Sequence, residues 1–352
     1  MRTVTFVSHS SAPGGGELAL RRYLEATEIP VRLVTLQGGG VWDGMDAEVV
    51  TVRGLTGLRH TLRHEHLVVA NSMRAAFLTS LVLPSPVSQV YWVRDGLTES
   101  AMSPTALFLT RHITRRRTDR YLANSRWTAR TIEQAMRVGV ERIHVVHSLS
   151  GVTAARTPAP AAPRQPRAPV RLLYLGRIAS WKGPDLAVQC VRQLRAKGID
   201  ATLTIVGGAH FGEDAYRRRL EREISGLQGV RMTGHLVDVA SVLDSHDLLL
   251  HSSRRPEPFG QVIVQALAAG LPVVAPDGGG PAEILIGSPV RCLYPTEDVA
   301  AMVMRIREVL ANYADVSRWA VERSLLYSDE RLTAEMDETM RRMVAEAARG
   351  HA

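Results

Sequence analysis

The sequence predicts an α/β chain folded as two doubly wound parallel-sheet domains. Three observations carry that expectation. The chain has 352 residues, about two domains at roughly 150 residues each. Short β-branched runs alternate with helical stretches in two separate series, and a proline-rich segment, residues 157–169, stands between them. Such alternation reads as parallel strands covered by helices on both faces.

In the first series, strands are expected at 3–7, 31–36, 67–70, 89–93, 121–123 and 143–146. The run TPAPAAPRQPRAP that follows is too poor in apolar bulk to pack and too rich in proline for a helix or internal strand. It reads as a linker. In the second series, strands are expected at 171–175, 202–206, 230–233, 248–251, 273–275 and 291–293. After Val299 the pattern is helical, at 300–313 and 331–348, with no strand in view for these helices to cover, so they can pack back across the linker. The expected division is an N-terminal acceptor-side domain over 1–157, a linker over 158–169, a nucleotide-binding domain over 170–325, and a C-terminal helix over 326–352 packed on the first domain. No repeat of about 20–50 residues is visible, which excludes solenoids and propellers. Two facing Rossmann-like sheets would bring their strand carboxyl ends around one cleft, where such folds bind ligands.

Composition narrows the function classes. Lys plus Arg at 43 against Asp plus Glu at 35 leaves a net charge of +8, which favours anionic partners such as phosphates, nucleotides or a membrane surface. No run approaches the roughly 18 apolar residues of a membrane span, and Met1 leads straight into a strand-like run rather than a signal peptide, so a cytoplasmic location is expected. The two cysteines, Cys190 and Cys292, are far apart and lack His or Cys neighbours at metal spacing, which argues against a disulfide framework or a zinc site. The basic residues are almost all arginine, and Lys182 and Lys197 are the only lysines. A lysine inside a motif therefore stands out.

The strongest stretch is RRPEPFGQVIVQALAAGLPVVAPDGGGPAE, from Arg254 to Glu283. The turn Glu257-Pro258-Phe259-Gly260 opens a helix to about Ala269, ended by Gly270 and followed by a buried strand. A helix start at a cleft attracts anions through its free N–H groups and dipole. Glu257 can accept hydrogen bonds from sugar hydroxyls there, and Gln265, two turns on, can reach a second polar part of the ligand. The alternative is a helix-start acid and a surface amide. In YLGRIASWKGPD, Arg177 and Lys182 lie five residues apart on a loop between strand and helix, and can converge on a diphosphate as fork and point charge. Their attraction grows as charge builds on a departing nucleoside diphosphate. A solvated basic loop is the alternative. Near the start, Pro13-Gly14-Gly15-Gly16-Glu17 opens a helix whose glycines allow close backbone approach to a phosphate or sugar, with Glu17 placed to cap it; a plain tight turn has the same pattern. At a strand end, Arg94 cannot act as a base but can hold a phosphate or an acidic acceptor. Asp95 can orient an acceptor hydroxyl or form a turn before Gly96. No Asp-x-Asp pair is present to hold a metal-diphosphate complex.

These segments resemble family four of the retaining nucleotide-sugar glycosyltransferases (glycosyl transferases group 1), which have the GT-B fold. The resemblance covers nearly the whole chain, closely in the second domain and loosely in the first. It implies that Glu257 contacts the donor sugar, that Phe259 and Gly260 shape the helix start at the anomeric leaving group, and that Arg177 and Lys182 bind the diphosphate. The family's second glutamate, which holds the ribose, is Gln265 here, and an amide offers one acceptor and one donor group where a carboxylate accepts twice. Gly15 and Gly16 fall on a loop that covers the donor, Gly207 on a nucleotide-side loop, and His235 in a segment whose backbone reads the base. Asp95 belongs to a His-Asp pair near the reacting carbon, with Arg94 replacing the histidine. Ser150-Gly151-Val152-Thr153 stands where the family often has Asn-Gly-Val-Asp.

The resemblance implies transfer of a sugar from a nucleotide-diphosphate sugar to a hydroxyl or amine acceptor, with retention and without a metal or other cofactor. Small-molecule, lipid and glycan acceptors stay open, as do natural-product, glycolipid and cell-wall settings. The rivals are a degenerate GT-B protein that binds nucleotide or glycan without transfer, and a GT-B epimerase or pseudo-glycosyltransferase. Arg111, Arg115, Arg116, Arg117 and Arg120 form a basic cluster suited either to weak peripheral contact with anionic lipid or to a solvated helix face; Arg217–Arg219 form another. No aromatic interleaving or nucleic-acid motif accompanies the charge, so nucleic-acid binding is not expected.

Overall fold

The computed structural model describes residues 2–154, 165–209, 212–236 and 238–349. Most of the expected linker, 158–164, lies outside the described residues. The chain divides into two compact units, Met1–Gly151 with Tyr327–Ala352, and Val152–Leu326. Each is built on a wholly parallel sheet, and the architecture is GT-B.

In the first unit the strands are β1 (Val4–Ser8), β2 (Val31–Thr35), β3 (Glu48–Thr51), β4 (Leu67–Ala70), β5 (Ser88–Val93), β6 (Arg120–Ala123) and β7 (Ile143–Val145), in the order β3-β2-β1-β4-β5-β6-β7. Every residue of the central β1 and β4 is buried, as expected where helices cover both faces of a strand. β3 was not expected. It is a four-residue edge strand with no fully buried residue, so no apolar run marks it. The helix Asp329–Arg349 belongs to this unit and packs on the helix Gly15–Ala26. Its buried Leu332, Met336, Met340 and Met343 make one stripe at helical spacing. Asp337, also buried, accepts from Tyr23 Oη at 2.8 Å and Thr27 Oγ1 at 2.5 Å.

In the second unit β8 (Val170–Leu175), β9 (Ala201–Val206), β10 (Val230–Gly234), β11 (Leu248–Leu250), β12 (Val273–Pro276) and β13 (Leu293–Tyr294) run in the order β10-β9-β8-β11-β12-β13. β13 begins two residues later than the expected strand over 291–293. The expectation that the helices after Val299 have no strand to cover fails for the first of them. The helix Val299–Ala311 packs on β12, β13 and the helix Pro184–Ala196, and a further helix, Tyr313–Ser324, packs on the helix Gln261–Ala268. The physical reason is that β12 is buried along its whole length and needs a cover on each face. Tyr313 Oη donates to Asp247 O at 2.8 Å and Ser317 Oγ to Gly270 O at 2.7 Å, fixing that layer.

In each sheet the strand order reverses beside the first strand, between β1 and β4 and between β8 and β11. Ligands of such sheets bind at the carboxyl ends of the strands at this switch point.

Candidate functional site

The second unit's switch point brings together two of the residues singled out in the sequence. The loop after β8 carries Arg177 and Lys182, and the segment after β11 carries Glu257. Lys182 Nζ pairs with Glu257 Oε2, and His251 Nε2 stands 3.3 Å from the same oxygen. The Trp181 ring has Lys182 Nζ 4.4 Å and the Arg177 guanidinium 5.6 Å from its centroid, so one indole flanks both cations. Arg177 is exposed, whereas Lys182 and Glu257 are largely covered.

Glycines make this convergence possible. Gly279, at φ +72°, lies so close to the Glu257 segment that a Cβ would sit 2.1 Å from Glu257 O. Gly280 N donates to that carbonyl at 2.8 Å. On the other side, a Cβ on Gly207 would lie 1.9 Å from Gly176 O, so the loop after β9 can approach the Arg177 loop only without a side chain. Gly207 N donates to Gly234 O at 2.8 Å, next to the exposed His235. Phe259 is buried, and Gly260, at φ +108°, is the N-cap of the helix Gln261–Ala268 and makes no side-chain cap hydrogen bond. Gln265 lies half-buried one turn into that helix.

Electrostatics fix the charge states. Burial alone would raise the Glu257 carboxyl, but the Lys182 charge and the His251 hydrogen bond outweigh it and hold the group well below the usual carboxylate range. Burial pushes His251 below the ordinary histidine value, against the pull of Glu257. Neutral His251 donates through Nε2 and leaves Nδ1 buried without a partner. His251 was not anticipated, because it belongs to no motif and only the fold brings it to the pair; Trp181 lies inside the quoted YLGRIASWKGPD stretch, but no role was expected of it. Burial pushes the Cys190 thiol up to about 12 and raises Cys292 as well, so neither is a ready nucleophile. Among the described residues no group of three or more His, Cys, Asp or Glu is placed to hold a metal ion.

In the first unit the Gly15–Gly16 turn meets the end of β5. A Cβ on Gly16 would touch Arg94 Cγ at 3.6 Å, and Asp95 beside it is exposed. Gly14 is the N-cap, without a side-chain hydrogen bond, and the Glu17 carboxylate accepts from its own first-turn backbone N–H. Burial raises the Glu17 carboxyl, opposed by the Arg94 charge and reinforced by Asp95. Arg94 forks onto Asn71 Oδ1 at 3.1 and 2.8 Å, reaches Ser148 Oγ at 3.0 Å and lies 3.4 Å over the Trp92 ring. These contacts use three of its five N–H groups and hold the guanidinium against Trp92, Asn71 and Ser148. The basic cluster is also engaged: Arg111 donates to Ala135 O, Arg115 to Arg137 O and Arg117 to Pro84 O, while Arg120 pairs with Glu346.

Two parallel doubly wound units, with a cation-carboxylate pair at the second unit's switch point, define an α/β protein of the GT-B class. Residues 169–312 match the family model described as "Glycosyl transferases group 1", and this part of the chain is a domain of that family. The chain is 32% identical over 202 residues to a glycogen synthase of Mycobacterium tuberculosis, covering 56% of this chain and 46% of that protein. It is likewise 32% identical over 207 residues to a GDP-mannose-dependent alpha-mannosyltransferase of the same species, covering 57% and 49%. The matches span about half the length of these relatives. Among solved structures, Anabaena Alr3699/HepE in complex with UDP and glucose superimposes with a TM-score of 0.84 at 20% identity, covering 98% of this chain and 100% of that one.

Proposed function

We propose that the chain is a glycosyltransferase that moves a sugar from a nucleotide-diphosphate sugar to a hydroxyl or amine acceptor, with retention of configuration and without a catalytic metal. The observation that carries the reading is the Lys182–Glu257 pair, drawn from the two loops at the switch point beside a helix start. In this reading the diphosphate takes over Lys182, with Arg177 beside it, and the freed Glu257 carboxylate accepts from sugar hydroxyls. Both cations hold the departing nucleoside diphosphate more tightly as its charge grows. Phe259 and Gly260 shape the helix start, Gln265 addresses the ribose, and Gly207 and His235 lie on the nucleotide side. Gly15 and Gly16 lie on the loop that covers the donor, and Asp95 orients the acceptor hydroxyl. The family domain over 169–312, which contains all of these donor-side residues, supports the assignment.

The acceptor is a small molecule, lipid or glycan, and the protein works in the cytoplasm. No helix among the described residues is long and apolar enough to cross a membrane. Arg116 and neighbouring exposed arginines offer weak peripheral contact with anionic lipid. A second reading, nucleotide binding without transfer, is favoured by Arg94, which is tied to Asn71 and Ser148 where the resemblance places a histidine.

The test is release of nucleoside diphosphate from UDP-, GDP-, ADP- and TDP-sugars with simple alcohol acceptors, followed by the anomeric configuration of the product. One donor should be turned over with retention, and Lys182→Ala should abolish turnover. Equal turnover in that variant would overturn the assignment, and binding without release would select the second reading.

A further inference from the structure

The sequence motifs leave Arg254 without a role, yet it makes the densest side-chain contacts near the candidate site. Its Nη2 lies 2.6 Å from Asp185 Oδ2, and its Nη1 lies 2.9 Å from Asp185 Oδ1 and 2.8 Å from Ser180 O. Its Nε donates to Glu297 Oε1 at 2.7 Å. Its backbone N–H donates to Trp181 O at 2.7 Å. Asp185 is buried at the start of the helix Pro184–Ala196 and also accepts from Tyr216 Oη at 2.5 Å. Ser252 Oγ adds a bond to Gly183 O at 2.8 Å, and a Cβ on Gly183 would lie 2.3 Å from Ser252 O.

Apart from the Glu297 and Tyr216 bonds, these contacts join the segment that carries Glu257 to the loop and helix that carry Lys182. We infer that Arg254 is a positioning residue. Its guanidinium, clamped on Asp185 and Ser180, sets the separation of Lys182 and Glu257 and thereby the affinity for the donor diphosphate. A planar fork with N–H groups on three nitrogens is needed, because the partners lie in different directions; a lysine offers one point charge and cannot span them. The pair exists to hold two loops in register, and misplacement of a positioned group by about 1 Å can cost up to about a hundredfold in activity.

The inference rests on the donor-site reading and is tested so that the two fail separately. Donor KM, kcat and nucleoside-diphosphate affinity are measured for wild type, Arg254→Lys, Asp185→Asn and Lys182→Ala, with UDP, GDP, ADP and TDP as probes and thermal melting alongside. The expected result is a rise of about tenfold or more in donor KM and in the diphosphate dissociation constant for Arg254→Lys and Asp185→Asn, with acceptor KM unchanged. Folded Arg254→Lys protein with wild-type donor KM and affinity would overturn the inference and leave the clamp a stabilising contact. If wild type binds none of the four nucleotides, the donor-site reading falls and the inference falls with it. If Lys182→Ala loses affinity and Arg254→Lys does not, the reading stands and the inference alone is refuted.

Discussion

Replacing Lys182 with methionine keeps most of the side-chain stem and removes the charge that holds the Glu257 carboxyl down. The two side chains are 17% and 15% exposed, so this is a largely buried pair. Removing one partner of such a pair costs about 3 kcal/mol, near the lower end for buried pairs because some solvent reaches them. For a unit of this size that lowers the melting temperature by about 6–12 °C. The sign with pH is sharper than the size. In the wild type Glu257 is depressed, so its contribution is present above the unfolded carboxylate value of about 4.3 and is lost as pH falls. In the variant burial, the largest influence on this carboxyl, is no longer opposed by a cation and raises it. The contribution is then present at low pH and lost as pH rises through the raised value. His251, itself depressed by burial, is neutral near pH 7 and charges on acidification, which supplies a substitute cation. The stability gap should therefore be about 3 kcal/mol above about pH 7 and shrink steadily as pH falls into and below the ordinary carboxylate range. Urea unfolding of both proteins across that range measures it. A gap that is absent, or constant with pH, would refute the reasoning.

Three further outcomes are expected. Gly279→Ala forces a Cβ into Glu257 O at φ +72°, and should cost at least about 2 kcal/mol in denaturant unfolding and abolish nucleotide affinity in calorimetry. Gln265→Glu gives the ribose position a double acceptor and should tighten donor binding several-fold by KM; unchanged or weaker binding would remove Gln265 from the ribose. Asp337→Ala removes the acceptor shared by Tyr23 and Thr27, and should destabilise the first unit by about 2 kcal/mol and expose the helix Asp329–Arg349 to protease, while nucleotide affinity stays at the wild-type value.

The parts of the fold that were legible in the sequence are those whose burial forces a pattern. β4 and β12 are buried along their whole length and read as unbroken apolar runs, and β1 and β8 have mainly apolar centres, whereas β3, half-exposed at an edge, leaves no such trace. The helices after Val299 looked unpartnered because the helices 184–196 and 261–268 that they pack on lie far away in sequence, and the adjacent β13 is only two residues long. Lys182 and Glu257 were legible because their chemistry is tied to a loop and a helix start. His251 and Arg254 were not, since their importance comes only from what the fold places against them. Arg94 shows the same limit in reverse. Its identity is plain from the sequence, but the fork onto Asn71 and the stacking on Trp92 exist only in three dimensions.

The central claim is that Arg177 and Lys182 form the diphosphate-binding half of a donor site. Isothermal calorimetry of the full chain with UDP, GDP, ADP and TDP, beside an Arg177→Ala/Lys182→Ala double variant, tests it most directly. The wild type should bind one nucleotide tightly, and the folded double variant should lose that binding. Binding of none, or equal binding by both proteins, would contradict it.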